Sequence, residues 1–407
     1  MTMPQSRMKI LLLDSGKEWG GGTNSMLELL KRIDRDKFDI SCCFYNNYVR
    51  DNNETVSEVL AALGVQVFFI PQTRQPAWAK WGKEILRTLL FFNKKTRLAA
   101  IYAIDKVWRI DPNINKINSL LEMGQYDILY MNNQPSSNVE GYYATAGLST
   151  TVVQHCRIEP LMNRQIVKMV NNLCHAIISV SSGVQEKLIQ GGVQPEICYT
   201  VFNGIDIDQP LPDGLPLRHA LGADEQTFIF GSIGSLIPRK AHHHILQALH
   251  LFDQAYPEAR WKMVIVGAGP EHQKLVRMAA GFRLLDKVIF TGFKSNAMEY
   301  LAAFDTFILA SRSEGLPRVI LEAMLLNTVV IGSNVTGTME LIKHEQTGLL
   351  FPYGDTQTLF KHFKTVFLDA QYRHKLAQQA NYMVRTQFTI DKYVLGVEAV
   401  LGSIKPI

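Results

Sequence analysis

Two carboxylates and two cations hold most of the chemical information in this chain. Glu314 and Glu322 have seven residues between them in the stretch Ser-Arg-Ser-Glu-Gly-Leu-Pro-Arg-Val-Ile-Leu-Glu-Ala-Met, 311–324. The apolar run before it, 305–310, has the character of a buried parallel strand, and a helical pattern starts at Arg318. The pair therefore falls where a strand ends, Gly315 and Pro317 turn the chain, and a helix begins. In open α/β sheets ligands bind in that crevice, outside the carboxyl ends of the strands. Eight positions are about two helical turns, roughly 12 Å if fully helical, so the carboxylates can reach separate parts of one extended ligand.

The cations are Arg239 and Lys240, at the end of Gly-Ser-Ile-Gly-Ser-Leu-Ile-Pro-Arg-Lys, 231–240. A strand, a turn at Gly234 and a helix start coincide there. Positive side chains are disfavoured at a helix N-terminus, so two together call for an anion between them. Arg suits bidentate phosphate contact and Lys adds a point charge. Glycine turns and helix starts also present free backbone N–H groups to phosphates. Gly20, Gly21 and Gly22 form a facing loop in the first half, where glycine lets backbone approach a ligand that a side chain would exclude. Val-Ile-Val-Gly-Ala-Gly-Pro, 264–270, falls short of a dinucleotide fingerprint, because His272 stands where the third glycine is needed.

Other polar groups read as structural. Asp206 and Asp208 form a D-x-D, but inside an Asn-Gly-Ile-Asp element just ahead of a Pro/Gly-rich connection. His242, His243 and His244 occupy successive helical positions and point in different directions. With no His/Cys cluster, no metal site is expected.

The elements that must position these groups repeat one plan. Strands are expected at 9–13, 40–45, 65–70, 128–131, 151–154 and 176–180, with helical patterns between them and one helix over 24–32. A second set follows at 227–233, 261–266, 287–291, 306–309, 329–331 and 348–351. Strand–helix alternation argues for parallel doubly wound sheets, and 407 residues suffice for two domains. The segment 203–216, rich in Pro, Gly and Asp, reads as the connection between them.

The 311–324 stretch resembles the Glu-x7-Glu signature of the retaining glycosyltransferases of family 4. That resemblance implies the GT-B fold: an α/β protein of two Rossmann-like, doubly wound parallel-sheet domains facing a cleft. It divides the chain into an acceptor-side domain, 1–205, a nucleotide-sugar domain, 206–385, and a final helix, 386–407, that returns to the first domain. It implies Glu314 at the transferred sugar and Glu322 at the ribose, with Arg239 and Lys240 at the diphosphate; His155 lies near the sugar through its backbone or ring. Gly21, Gly22, Gly234, Gly267, Gly292, Phe293, Gly315, Leu316 and Pro317 are implied in nucleotide-sugar binding. Two departures stand out: Thr23-Asn24-Ser25 follow the first glycines, and Ala241 replaces the glycine usual after Lys240. The implied activity is metal-independent retaining transfer from a UDP- or GDP-linked sugar to a glycan or lipid-linked acceptor, in bacterial surface polysaccharide assembly, with no cofactor. A GT-B glycoside phosphorylase, a sugar-nucleotide epimerase and a catalytically silent binding subunit remain open alternatives.

Charge is concentrated. Between Arg74 and Ile110 there are nine basic residues against two acidic ones, together with Trp78, Trp81, Trp108, Phe91 and Phe92. Basic residues interleaved with aromatics suit an interfacial helix on anionic lipid; no nucleic-acid module accompanies them. Five scattered cysteines (Cys42, Cys43, Cys156, Cys174, Cys198) and the lack of an apolar leader predict reduced thiols. The expected location is cytoplasmic, peripheral on the inner face of the membrane.

Overall fold

The computed structural model describes residues 7–14, 20–49, 53–71 and 76–404, leaving aside the side chains of Lys94, Lys95, Leu98, Ala99, Tyr102, Asp105 and Arg109. Its strands form two separate sheets. The first contains β1 (Met8–Asp14), β2 (Phe38–Phe44), β3 (Gln66–Phe69), β4 (Ile128–Asn133), β5 (Thr151–Cys156), β6 (Ala176–Ser179) and β7 (Cys198–Thr200), in the order β3-β2-β1-β4-β5-β6-β7. The second contains β8 (Phe228–Ile233), β9 (Trp261–Val266), β10 (Val288–Gly292), β11 (Thr306–Leu309), β12 (Val329–Ser333) and β13 (Leu349–Phe351), in the order β10-β9-β8-β11-β12-β13. Every pairing within them is parallel.

Sheets covered by helices on both faces need apolar side chains on both. Ile10 to Leu13 show it: all four are buried although they alternate in direction. In each sheet the strand order reverses once, between β1 and β4 and between β8 and β11. These switch points open crevices at the carboxyl ends of the strands. The loops after β8 and β11 carry Arg239, Lys240 and Glu314, so these three charged groups converge on the second crevice, while Glu322 lies on the helix that follows.

All twelve expected strands form. β7 was not foreseen, being three residues long with only Cys198 buried. The helix after β1 begins at Gly21, not at 24, and ends at Arg32. Gly21 and Gly22 therefore form its first turn, and Gly20 alone precedes it in extended backbone. This corrects the expected three-glycine loop.

The chain crosses between domains at 203–209 and returns at 388–390. There Ile205 N–H donates to Phe388 O and Ile390 N–H to Ile205 O, both at 2.9 Å. The last helix, Ile390–Ser403, buries Tyr393, Val397 and Leu401 in one cluster with Leu12, Met26 and Tyr130 of the first domain. Asp206 of the D-x-D pairs with Arg32 at 2.5 Å, a structural role.

In the basic aromatic segment, helix Ala77–Leu89 leaves Trp78, Trp81, Ile85 and Leu89 more than half exposed along one face, followed by exposed Phe91 and Phe92. Arg74 and the side chains of Lys94, Lys95 and Arg109 lie outside the described residues. Among those described, no helix is long and apolar enough to cross a membrane. All five cysteines are unpaired and buried. Burial pushes the Cys43, Cys156 and Cys174 thiols up to about 12.

Candidate active site

Glu314 sits in the loop between β11 and helix Arg318–Leu325, its side chain almost fully buried. Oε1 accepts from Lys240 Nζ at 2.6 Å, and Oε2 lies 3.4 Å from Arg239 NH1. Arg239 also donates to Ser313 O at 2.7 Å, and Arg312 N–H donates to Arg239 O at 2.8 Å. The loops after β8 and β11 are thus laced together by backbone and charge. Burial raises the Glu314 carboxyl, but Lys240 and then Arg239 outweigh it and hold it below its ordinary value. Two cations face one carboxylate, so the cluster keeps a positive surplus that an incoming diphosphate can take up.

Pro238–Lys240 form one short helical turn before helix His242–Ala255, and Ala241 joins them in left-handed backbone at φ 50°. That conformation costs a non-glycine residue about 1 kcal/mol, which explains why glycine is usual there. The turn keeps its geometry with alanine.

Gly234, Gly267 and Gly292 meet at the mouth of the second sheet. Gly234 N–H donates to Val266 O at 2.9 Å and Gly267 N–H to Gly292 O at 2.8 Å. Gly267 has φ 147°, and a Cβ there would lie 2.0 Å from Gly234 O. Loop-on-loop packing is therefore enough to demand glycine at 267. Together with half-exposed Phe293 and Lys294, the loops of Gly234 and Gly267 line a cleft of about 460 Å³. Gly20, Gly21 and Asn24 of the first domain line its opposite wall. Among the described residues no side chain caps helix Gly21–Arg32, its first turn holds no acid, and a Cβ at Gly20 or Gly21 would meet nothing within 4 Å. Its amino end thus offers open N–H groups, the usual environment for an anion. Gly22 instead packs toward the Arg157 side chain.

Glu322 occupies different surroundings. It lines a separate space of about 180 Å³ with Arg318, Arg32 and Asp206, and its one close cation among the described residues, Arg318 Nε, is 3.8 Å away. Burial raises its carboxyl and Arg318 offsets this only in part. Glu314 is not among the residues lining this space, so the two glutamates do not share it.

The backbone between them is clamped. A Cβ at Gly315 would lie 2.2 Å from Arg157 O, and one at Gly337 would lie 1.9 Å from Gly315 O. Leu316 and Pro317 are buried and Leu316 joins the core, so neither side chain lines the cleft. Leu316 O accepts from Asn203 Nδ2 at 3.2 Å. Asn203 in turn accepts from Arg157, which also bonds Asn132 and the Tyr393 hydroxyl. Sequence reasoning gave Asn203 only to a linker; its place in the Asn-Gly-Ile-Asp element was the available signal.

His155, which the resemblance places near the sugar through its backbone or ring, has its ring turned away from the cleft. Strand alternation turns its ring to the face covered by the last helix, where it is fully buried near Tyr393 and bonded through Nδ1 to the Tyr130 hydroxyl. Burial, then Arg157, lowers its pKa and keeps the ring neutral. It is not among the residues lining the cleft; Nε2 has no hydrogen-bond partner among the described residues.

Two family models match in tandem: one described as Glycosyltransferase Family 4 over residues 19–209, and one as Glycosyl transferases group 1 over residues 216–383. The chain belongs to glycosyltransferase family 4. Among curated relatives of the family, it is 30% identical to N-acetyl-alpha-D-glucosaminyl L-malate synthase of Bacillus anthracis, over 49% of this chain and 52% of that protein. It is 26% identical to the N-acetylgalactosamine-N,N'-diacetylbacillosaminyl-diphospho-undecaprenol 4-alpha-N-acetylgalactosaminyltransferase of Campylobacter jejuni, over 58% and 64% respectively. The matches thus span about half to two thirds of these relatives' length. The structure of Anabaena HepE in complex with UDP-glucose superposes with a TM-score of 0.78 at 22% identity, covering 98% of this chain and all of that one. Sucrose-phosphate synthase from Thermosynechococcus elongatus gives 0.75 at 15% identity, over 97% and 98%. The fold is GT-B.

Proposed function

We propose that this family 4 member is a retaining, metal-independent glycosyltransferase that moves a sugar from a UDP- or GDP-linked donor to a glycan or lipid-linked acceptor in bacterial surface polysaccharide assembly. The observation that carries the reading is the Glu314–Lys240–Arg239 cluster at a switch-point crevice, where the Lys240 stem runs beside Gly234, a residue of the cleft whose opposite wall is the start of helix Gly21–Arg32. Arg239 and Lys240 stabilise charge growing on the departing diphosphate, an effect strengthened where water is excluded. Glu314 then orients the sugar and Glu322 the ribose, so positioning supplies much of the acceleration. The acceptor oxygen bonds to the anomeric carbon on the leaving-group side as the carbon–oxygen bond to the diphosphate breaks. Its proton passes to a departing phosphate oxygen.

Two relatives support the substrate classes. HepE was solved with UDP-glucose, and the Campylobacter enzyme is named for a diphospho-undecaprenol acceptor. A lipid-linked acceptor also suits the exposed Trp78–Trp81–Ile85–Leu89 face, on a helix that also exposes Lys80 and Arg87, as a peripheral contact with anionic membrane.

Calorimetry with UDP, GDP and ADP, with and without EDTA, tests the donor site. One nucleotide should bind regardless of EDTA; no binding by any of them overturns the reading. Trp78→Ala with Trp81→Ala should lower binding to anionic vesicles, and unchanged binding would remove the membrane contact.

A further inference from the structure

Glu340 belongs to neither glutamate site. It sits in the short helix Thr338–Leu341 after β12, and its carboxylate crosses to the first domain. Oε1 accepts from Gly183 N–H at 2.6 Å and Oε2 from Ser182 N–H at 3.0 Å. These are the first two residues of helix Ser182–Gln190, where Ser181 already accepts from Val184 N–H. The opening N–H groups of a helix have no acceptor within it, and they carry the positive end of its dipole. A carboxylate supplied by the other domain satisfies two of them at once. Gly183 permits the approach, since a Cβ there would lie 2.6 Å from Thr336 Cγ2.

The position of this contact matters. Among the described residues, the other hydrogen bonds between the domains run through the crossing segments 203–209 and 388–404. Those segments, paired backbone to backbone at Ile205 and Ile390, form a double crossing about which two domains can turn. Glu340 joins the two bodies away from it. The residues just before it include Gly337, the one that abuts Gly315 O beside Glu314. A shift at Glu340 is therefore felt at the loop that carries Glu314.

We propose that Glu340 is a positioning residue: it latches the second domain onto helix Ser182–Gln190 and so fixes the Gly315 backbone that holds Glu314 in place. Its effect on turnover rests on the donor-site reading; the latch itself does not.

Spin labels at two exposed positions, introduced by Gln190→Cys and Gln346→Cys, report the separation of the domains, while the five native thiols stay buried. The latched protein should give one narrow distance. Glu340→Ala should broaden it toward longer distances, as should Gly183→Ala from the opposite side, and Glu340→Gln, which keeps a carbonyl acceptor, should fall between. In Glu340→Ala, kcat should drop by about tenfold or more, because small misplacements near the reacting groups are costly, with a smaller change in nucleotide affinity. Unchanged distances in both alanine variants would overturn the latch. Broadened distances with unaltered kcat would overturn the positioning role. If the parent protein binds no nucleotide, the donor reading fails and the distance measurement still decides the latch.

Discussion

Glu314 and Glu322 share one motif and one side chain, yet their surroundings move their carboxyls in opposite directions. Glu314 lies in a loop between two cations, at 2.6 and 3.4 Å, and is held ionised. Glu322 lies on a helix with one cation at 3.8 Å, and burial raises it. The difference is one of elements: a loop at a switch point can collect charge from a neighbouring loop, whereas a helical residue has mainly its own i−4 neighbour. Ion-pair attraction falls with distance and partner number while desolvation remains, so the same residue emerges as a fixed anion in one place and a more easily protonated acid in the other.

The comparison can be broken at its strongest point first. Glu314→Gln keeps shape but removes the charge that Lys240 and Arg239 share, and turnover should fall about 10²-fold or more if positioning of the sugar depends on it. Steady-state kinetics with retained nucleotide affinity checks this, and near-normal kcat would end the catalytic role of Glu314. Next, Lys240→Met leaves a buried carboxylate with its weaker partner alone. Denaturant unfolding should show a loss of about 3 kcal/mol, and a smaller loss would mean that Arg239 can take over the pair.

The pH dependence gives the finest test. Glu314 is depressed in the folded state, so its contribution is present above the ordinary glutamate value of 4.5 and is lost as pH falls through its lowered folded value. Glu322 is raised, so its contribution is present below 4.5 and is lost as pH rises through its elevated folded value. At neutral pH, Glu322→Gln should therefore stabilise the protein slightly while Glu314→Gln destabilises it, and both differences should shrink on acidification. Thermal unfolding from pH 4 to 7 measures this; parallel profiles for the two variants would show that the environments do not differ.

Much of this frame was legible in the sequence, for identifiable reasons. Apolar runs such as 10–13 and 306–309 announce parallel strands because both faces are buried. The motif around Glu314 is contiguous, so its residue types could be read together. β7 escaped because three residues with one buried position carry no period. Gly21 and Gly22 were placed in a loop because glycine weakens a helical pattern; the structure shows a helix that simply lacks a cap. The buried ring of His155 was not legible either, since residue type suggests chemistry while strand alternation decides which way a side chain points. The pairings of Asn203 with Leu316 and of Glu340 with Ser182 and Gly183 join residues more than a hundred positions apart, and no local pattern records them.

The return of helix Ile390–Ser403 to the first domain carries a consequence for biosynthesis. Its Tyr393, Val397 and Leu401 help complete an apolar cluster whose members outside this helix lie before position 202. At ribosomal rates of roughly 5–20 residues per second, about 10–40 s separate the emergence of those members from that of the helix. During that interval the nascent first domain shows an unsealed greasy flank, the kind of surface a chaperone holds until translation supplies the missing piece.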